Sequence, residues 1–256
     1  MRVVLMMAAA AVLQACVMQQ ADPAYADTAP ATQEAQHLDI LFVNSETTVF
    51  SDDEKTYIRG VLAESERAVR RLLPQLDKRV TIDVKMIDHD LDIVGGVTGM
   101  AEMPGKVTFL VSSQYPGGVM AAADHGLRYA SFHEFHHLER GWTIRNNAFG
   151  RGIDIAVVNE GLADVFAETY SGRTSPSLAY PPEVGAWAAE ILTLPRDADY
   201  NTWMNQHPDG RTALGYKTGR YLVFQAIEKS GKTILELSDL PVAEIWRLAG
   251  FPYERA

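Results

Sequence analysis

The sequence predicts an α+β fold: an N-terminal mixed or antiparallel sheet with helices, then a mostly helical C-terminal part, with a histidine-bearing helix between them. Period-two alternation of apolar residues is confined to the segment ending near Val111. From Asp124 onward the apolar positions recur at helical spacing instead. Strands grouped first and helices afterwards mark an α+β domain rather than alternating βαβ units. A chain of 256 residues, 47% hydrophobic and 22% charged, is long enough to bury a sizeable core without a disulfide.

Residues 1–16, MRVVLMMAAAAVLQAC, read as a signal peptide: Arg2 precedes an apolar run, Val3 to Leu13, that is too short to span a membrane. The ending Leu13-Gln14-Ala15-Cys16 resembles a bacterial lipobox, whose cysteine is lipidated and becomes the mature N-terminus. Cys16 is the single cysteine of the chain, so it has no disulfide partner. The expectation is an exported lipoprotein of the bacterial cell envelope, on its periplasmic or surface side, tied to membrane only through lipid on Cys16. The rival reading is cleavage after Ala24-Tyr25-Ala26, which leaves a soluble secreted or periplasmic domain. Residues 17–36, rich in Ala, Gln, Asp, Thr and Pro, read as a flexible tether, and 37–256 as the folded domain.

Within that domain, His37–Asn44 alternates as a first strand. The next segment is a helix from Ser51, which forms a capping box with Glu54, to its stop at Pro74. Ile58, Val61, Leu62, Ser65, Ala68, Val69 and Leu72 share one face of it. Arg79–Asp88 alternates as a strand, and shorter strands are expected around Gly96–Met100 and Lys106–Val111, either side of the turn Met103-Pro104-Gly105-Lys106. The glycines of Gly95-Gly96-Val97-Thr98-Gly99 mark either close backbone approach or a bulge. Helices then follow over Asp124–Glu139, closed by Gly141, and over Ile153–Tyr170. Shorter ones cover Glu183–Leu192 and Tyr200–Gln206, and another runs from Tyr216 to Lys229. A second capping box, Thr233 with Glu236, and a short helix Pro241–Ala249 complete the chain.

A net charge of −10 argues against a nucleic-acid partner, because phosphate binding needs a basic face. Chemistry concentrates in His133-Glu134-Phe135-His136-His137, which matches H-E-x-x-H. Residues four apart share a helix face, so His133 and His137 are placed to hold one ion. Glu134, beside the first histidine, is placed to reach a metal-bound water without ligating the metal. His136 is three residues from His133 and competes on paper as a ligand; the spacing assigns it to the rim or to a local hydrogen bond. A catalytic zinc needs a third protein ligand and an open position. The extended pattern H-E-x-x-H-x-x-G-x-x-H is excluded, because Arg140 and Thr143 stand where it requires Gly and His.

Twenty-three residues after His137 comes Asn159-Glu160-Gly161-Leu162-Ala163-Asp164, which resembles the second helix of the thermolysin-like zinc proteases. The resemblance implies a zincin-like fold with Glu160 as third ligand and Asp164 hydrogen-bonded to a ligating imidazole. More widely, HEFHHLER, NEGLADVFAE, GYKTGRYLV and LSDLPVAEIW resemble a bacterial family of predicted zinc-dependent proteases that began as a domain of unknown function. This implies one zinc ion, a peptide or protein substrate, and hydrolysis with Glu134 as general base. Donors to a developing oxyanion are sought in Tyr216 and His207, with Tyr129 behind them. The strand nearest the histidine helix is the expected edge for an extended substrate. The alternative from another class is a non-catalytic exported lipoprotein that uses the fold to bind a partner or cell-wall component. A third is metal-assisted hydrolysis of a non-peptide amide or ester.

Overall fold

The computed structural model describes residues 37–254. The signal segment, the lipobox with Cys16, the rival cleavage site at Ala26 and the tether all lie outside the described residues. Among the described residues no helix is long and apolar enough to cross a membrane.

Four strands, β1 (Leu38–Val43), β2 (Val80–Ile87), β3 (Val97–Met103) and β4 (Lys106–Ser112), form one mixed sheet in the order β1-β2-β4-β3. β1 and β4 run parallel to β2, and β3 runs antiparallel to β4. The expected α+β class holds, but the strands-first pattern hid one crossover unit. Parallel neighbours need a connection of about a dozen residues or more, and α1 (Asp52–Leu72), with 21 residues, supplies it between β1 and β2. Its start is the expected capping box: Ser51 Oγ accepts from the Glu54 N–H, and Glu54 Oε2 accepts from the Ser51 N–H. Ile58, Leu62 and Val69 of its apolar face are buried in one core with Val80, Ile82, Val84 and Met86 of β2.

The helical half begins at Gly118 rather than Asp124. Gly117 and Gly118, both at positive φ, turn the chain sharply after β4. It then runs through α2 (Gly118–Ala122), a π-helical turn (Ala123–Leu127) and α3 (Arg128–Arg140). The next helix, α4 (Ile153–Ser171), is central, with every residue from Ile153 to Ala167 buried. After α5 (Val184–Ile191) a π-helical turn, Asn201–Asn205, stands where a short helix was expected. The chain ends in α6 (Leu214–Ser230), α7 (Ile234–Ser238), with its capping box intact, and α8 (Val242–Leu248). α4 and α6 touch backbone to backbone: a Cβ on Gly219 would stand 1.9 Å from the Val157 carbonyl oxygen, and one on Gly161 only 2.2 Å from the Gly219 carbonyl carbon. No larger residue fits this crossing, which sets the start of α6 beside Glu160.

Candidate metal centre

α3 and α4 lie against each other, and three of their side chains converge. His133, His137 and Glu160 are each able to offer one ligand atom in a cluster whose atoms all lie within 4.8 Å of one another. Glu160 Oε2 is 3.3 Å from His133 Nε2 and 3.2 Å from His137 Nε2. Ligand atoms bound at about 2.0–2.1 Å to a tetrahedral ion stand roughly 3.3 Å apart, so the separations fit a zinc-sized ion. Two imidazoles and one carboxylate also match the donor set of zinc sites that keep a fourth position open.

The surroundings fix His133 and Glu160, while His137 Nδ1 is buried without a hydrogen-bond partner among the described residues. Asp164, one turn beyond Glu160 on α4, lies 3.0 Å from His133 Nδ1, which sets the tautomer and leaves Nε2 facing the cluster. Tyr129 donates to the same Asp164 oxygen at 3.2 Å, so its proton is committed there and not to a substrate. Glu160 has its two oxygens on different partners. Oε2 faces the imidazoles, while Oε1 accepts from Trp142 Nε1 at 2.8 Å and from the Tyr200 hydroxyl at 3.3 Å. Burial opposes ionisation of Glu160, yet His137 and His133 prevail and hold its carboxyl well below the usual range. Burial likewise opposes charge on His133, but Asp164 and Glu160 hold that ring well above the ordinary imidazole value.

Glu134 lies beside the trio and outside it. It is buried, and burial raises its carboxyl above the ordinary value against the pull of the two imidazoles. A backbone hydrogen bond from Ala101 of β3 favours its ionised form. Its side chain rests on Gly99, where a Cβ would stand 2.4 Å from Glu134 Cγ. Of the two readings of the β3 glycines, Gly99 therefore takes close approach. The irregularity in β3 pairing lies elsewhere, between Ala101 and Met103.

His136 points away from the trio. It is fully buried, with Nε2 at 2.8 Å from Ser238 Oγ, a residue far along the chain, so it lies neither at a rim nor in a local hydrogen bond. Ser238 donates its own proton to the Ile234 carbonyl, so it accepts from His136 Nε2–H. Burial holds that ring well below the ordinary value, in its neutral form. Arg140, whose guanidinium burial pulls down to about 10, binds Asn159 Oδ1 at 2.7 Å and ties α3 to the residue before Glu160.

Of the sequence-predicted oxyanion donors, Tyr216 comes close to the cluster. Burial first, then the charge of Glu160, raise its phenol above the ordinary value, and Asp164 and Glu134 add to this. It is hydrogen-bonded to Tyr200, which is 43% exposed while its hydroxyl reaches Glu160. His207 is placed apart, in a turn with Asp209 at 2.9 Å and its ring against Trp203. Trp142 and Tyr200 carry no sequence signal of their own, and Gly99 is legible only as a glycine of close approach or a bulge, not as the support of Glu134. Trp142 and Gly99 are set by chain reversals and strand packing, and Tyr200 by a turn that periodicity does not describe.

One family model, described as predicted Zn-dependent protease (DUF2268), matches residues 59–247, from within α1 to within α8. No curated protein and no solved structure matches the chain.

Proposed function

The chain belongs to the family described as predicted Zn-dependent protease, and on that premise we propose that it is a zinc peptidase with His133, His137 and Glu160 as the metal ligands. One observation carries this reading: Glu160 Oε2 stands 3.3 and 3.2 Å from the two imidazole Nε2 atoms, with a separate buried carboxylate, Glu134, beside them. A single zinc ion bound there supplies polarisation of a scissile carbonyl and acidification of a water.

The rest falls to the protein. Glu134 accepts the proton of the attacking water and passes it to the leaving amine. Its burial brings its pKa toward the working range of a general base, while Ala101 N–H and the Gly99 surface hold it in place. Asp164 keeps the His133 Nδ1 proton, so that Nε2 is free to ligate. Tyr216, held protonated first by burial, serves as a donor to the oxyanion that forms at the carbonyl, while the Tyr200 proton stays on Glu160 Oε1. The substrate is a peptide or protein segment laid along the outer edge of β3. Val97, Gly99 and Ala101 turn their backbone groups away from β4, by the alternation of an antiparallel ladder. The Ala101 carbonyl is already taken by Ile144 N–H at 3.0 Å, which leaves Gly99 as the place of pairing nearest Glu134.

The test is zinc content and peptide hydrolysis in the wild type and in Glu134→Gln. The variant should keep one zinc and lose hydrolysis. Undiminished hydrolysis removes Glu134 from the chemistry, and no hydrolysis by the zinc-loaded wild type across a broad peptide library sinks the peptidase reading.

A further inference from the structure

The two oxygens of Glu160 do different work, and the residue that separates them is Trp142. α3 ends at Gly141, in the left-handed conformation at φ 78°, and the chain folds back so that Trp142 N–H bonds the His137 carbonyl at 2.9 Å. This return throws the indole across to α4, where Nε1 donates to Glu160 Oε1 at 2.8 Å. Phe149, edge-on with ring centroids 6.3 Å apart, packs against the indole, and Arg140 lies over Phe149. Trp142 thus bonds one ligating residue through its backbone and another through its side chain. The second donor to Oε1 is the Tyr200 hydroxyl at 3.3 Å.

We propose that Trp142 is a positioning residue that confines Glu160 to one-oxygen ligation. The inference rests on the zinc reading above. A carboxylate beside a zinc ion binds through one oxygen or through both. An oxygen that already accepts an indole N–H and a phenol O–H is drawn away from the ion, and only Oε2 turns toward the imidazoles. One-oxygen ligation leaves the fourth position for water or the substrate carbonyl, whereas two-oxygen ligation crowds it. Removing the indole donor frees Oε1 to swing inward. The bond that holds the Glu160 carboxylate at the right angle is lost in the same step, so affinity falls although no ligand has been removed.

The test compares the full chain with Trp142→Phe and Tyr200→Phe, each loaded with Co²⁺ in place of zinc, with zinc affinity measured by chelator competition. The wild type should give the intense visible absorption of a four-coordinate cobalt site. Trp142→Phe should give weaker bands of higher coordination number and bind zinc roughly 10–100-fold more weakly. Tyr200→Phe removes the longer bond from a half-exposed position and should shift the spectrum the same way by a smaller amount. Denaturant unfolding of the metal-free forms separates this from general loosening, because metal-free stability should change little in Tyr200→Phe. Unchanged cobalt spectra and unchanged zinc affinity in the folded variants overturn the inference and leave the zinc site standing. A wild type that binds neither metal overturns both.

Discussion

Gly99→Ala adds one methyl group where there is no room for it. On the existing backbone its Cβ would stand 2.4 Å from Glu134 Cγ, 2.7 Å from Oε1 and 2.8 Å from Cδ. Carbon atoms in contact sit at about 3.5–4.0 Å, so something must retreat by roughly 1 Å. Gly99 is not at positive φ, so the backbone accepts alanine and the steric clash is the whole effect. β3 is held by β4 on one side and by the Ile144 and Arg145 N–H groups on the other. The Glu134 side chain is therefore the part that gives way. A displacement of about 1 Å in a reacting group costs on the order of 100-fold in rate. That corresponds to about 2.7 kcal/mol of transition-state stabilisation. The three metal ligands are untouched, so zinc content should stay at the wild-type level. The assay is kcat/KM on a peptide substrate, with zinc measured in the same samples. Full kcat/KM at full zinc occupancy would refute the place given to Glu134, and loss of zinc together with activity would refute its separation from the ligands.

Three other outcomes follow from the same geometry. Asp164→Ala removes the carboxylate 3.0 Å from His133 Nδ1 and should weaken zinc binding roughly 10–100-fold in chelator competition; wild-type affinity would show that His133 needs no such partner. His136→Gln should leave metal stoichiometry intact and cost about 1–3 kcal/mol of stability through the buried bond to Ser238, read by thermal unfolding; lost metal would put His136 among the ligands. In the metal-free protein the folded pKa of His133 lies above its unfolded value, burial notwithstanding, because of Asp164 and Glu160. Its stabilisation is therefore full below the unfolded imidazole pKa and is lost as pH rises through the folded one. Zinc must displace that proton, so affinity should fall as pH falls, with release of about one proton in calorimetry across buffers of different ionisation enthalpy. A pH-independent affinity would contradict the coupling of His133 to its carboxylates.

Local chemistry made much of this fold and site legible. The α1 and α7 capping boxes are four-residue patterns whose partners stand three positions apart in the chain, and both form as read. His133 with His137, and Glu160 with Asp164, are pairs fixed by the pitch of a helix. What stayed hidden depends on contacts between distant segments. The parallel pairing of β1 with β2 is set by where α1 returns the chain, and helical periodicity says nothing of that. Helical spacing sets His136 apart from the metal pair, but only the position of Ser238, on α7, assigns it to the core instead of the rim. Trp142 follows a helix-stopping glycine, a place where sequence ordinarily predicts a solvated turn, and its role appears once α4 is seen beside it. Gly161 and Gly219 are explained only by the α4–α6 crossing, where nothing larger fits.

The most direct measurement is anomalous diffraction at the zinc absorption edge from crystals of the purified protein. Expected is one peak bonded by His133 Nε2, His137 Nε2 and one oxygen of Glu160, each at about 2.0–2.2 Å, with Glu134 outside bonding distance. A peak held by other residues, or none at all in zinc-supplemented crystals, would contradict the zinc peptidase reading.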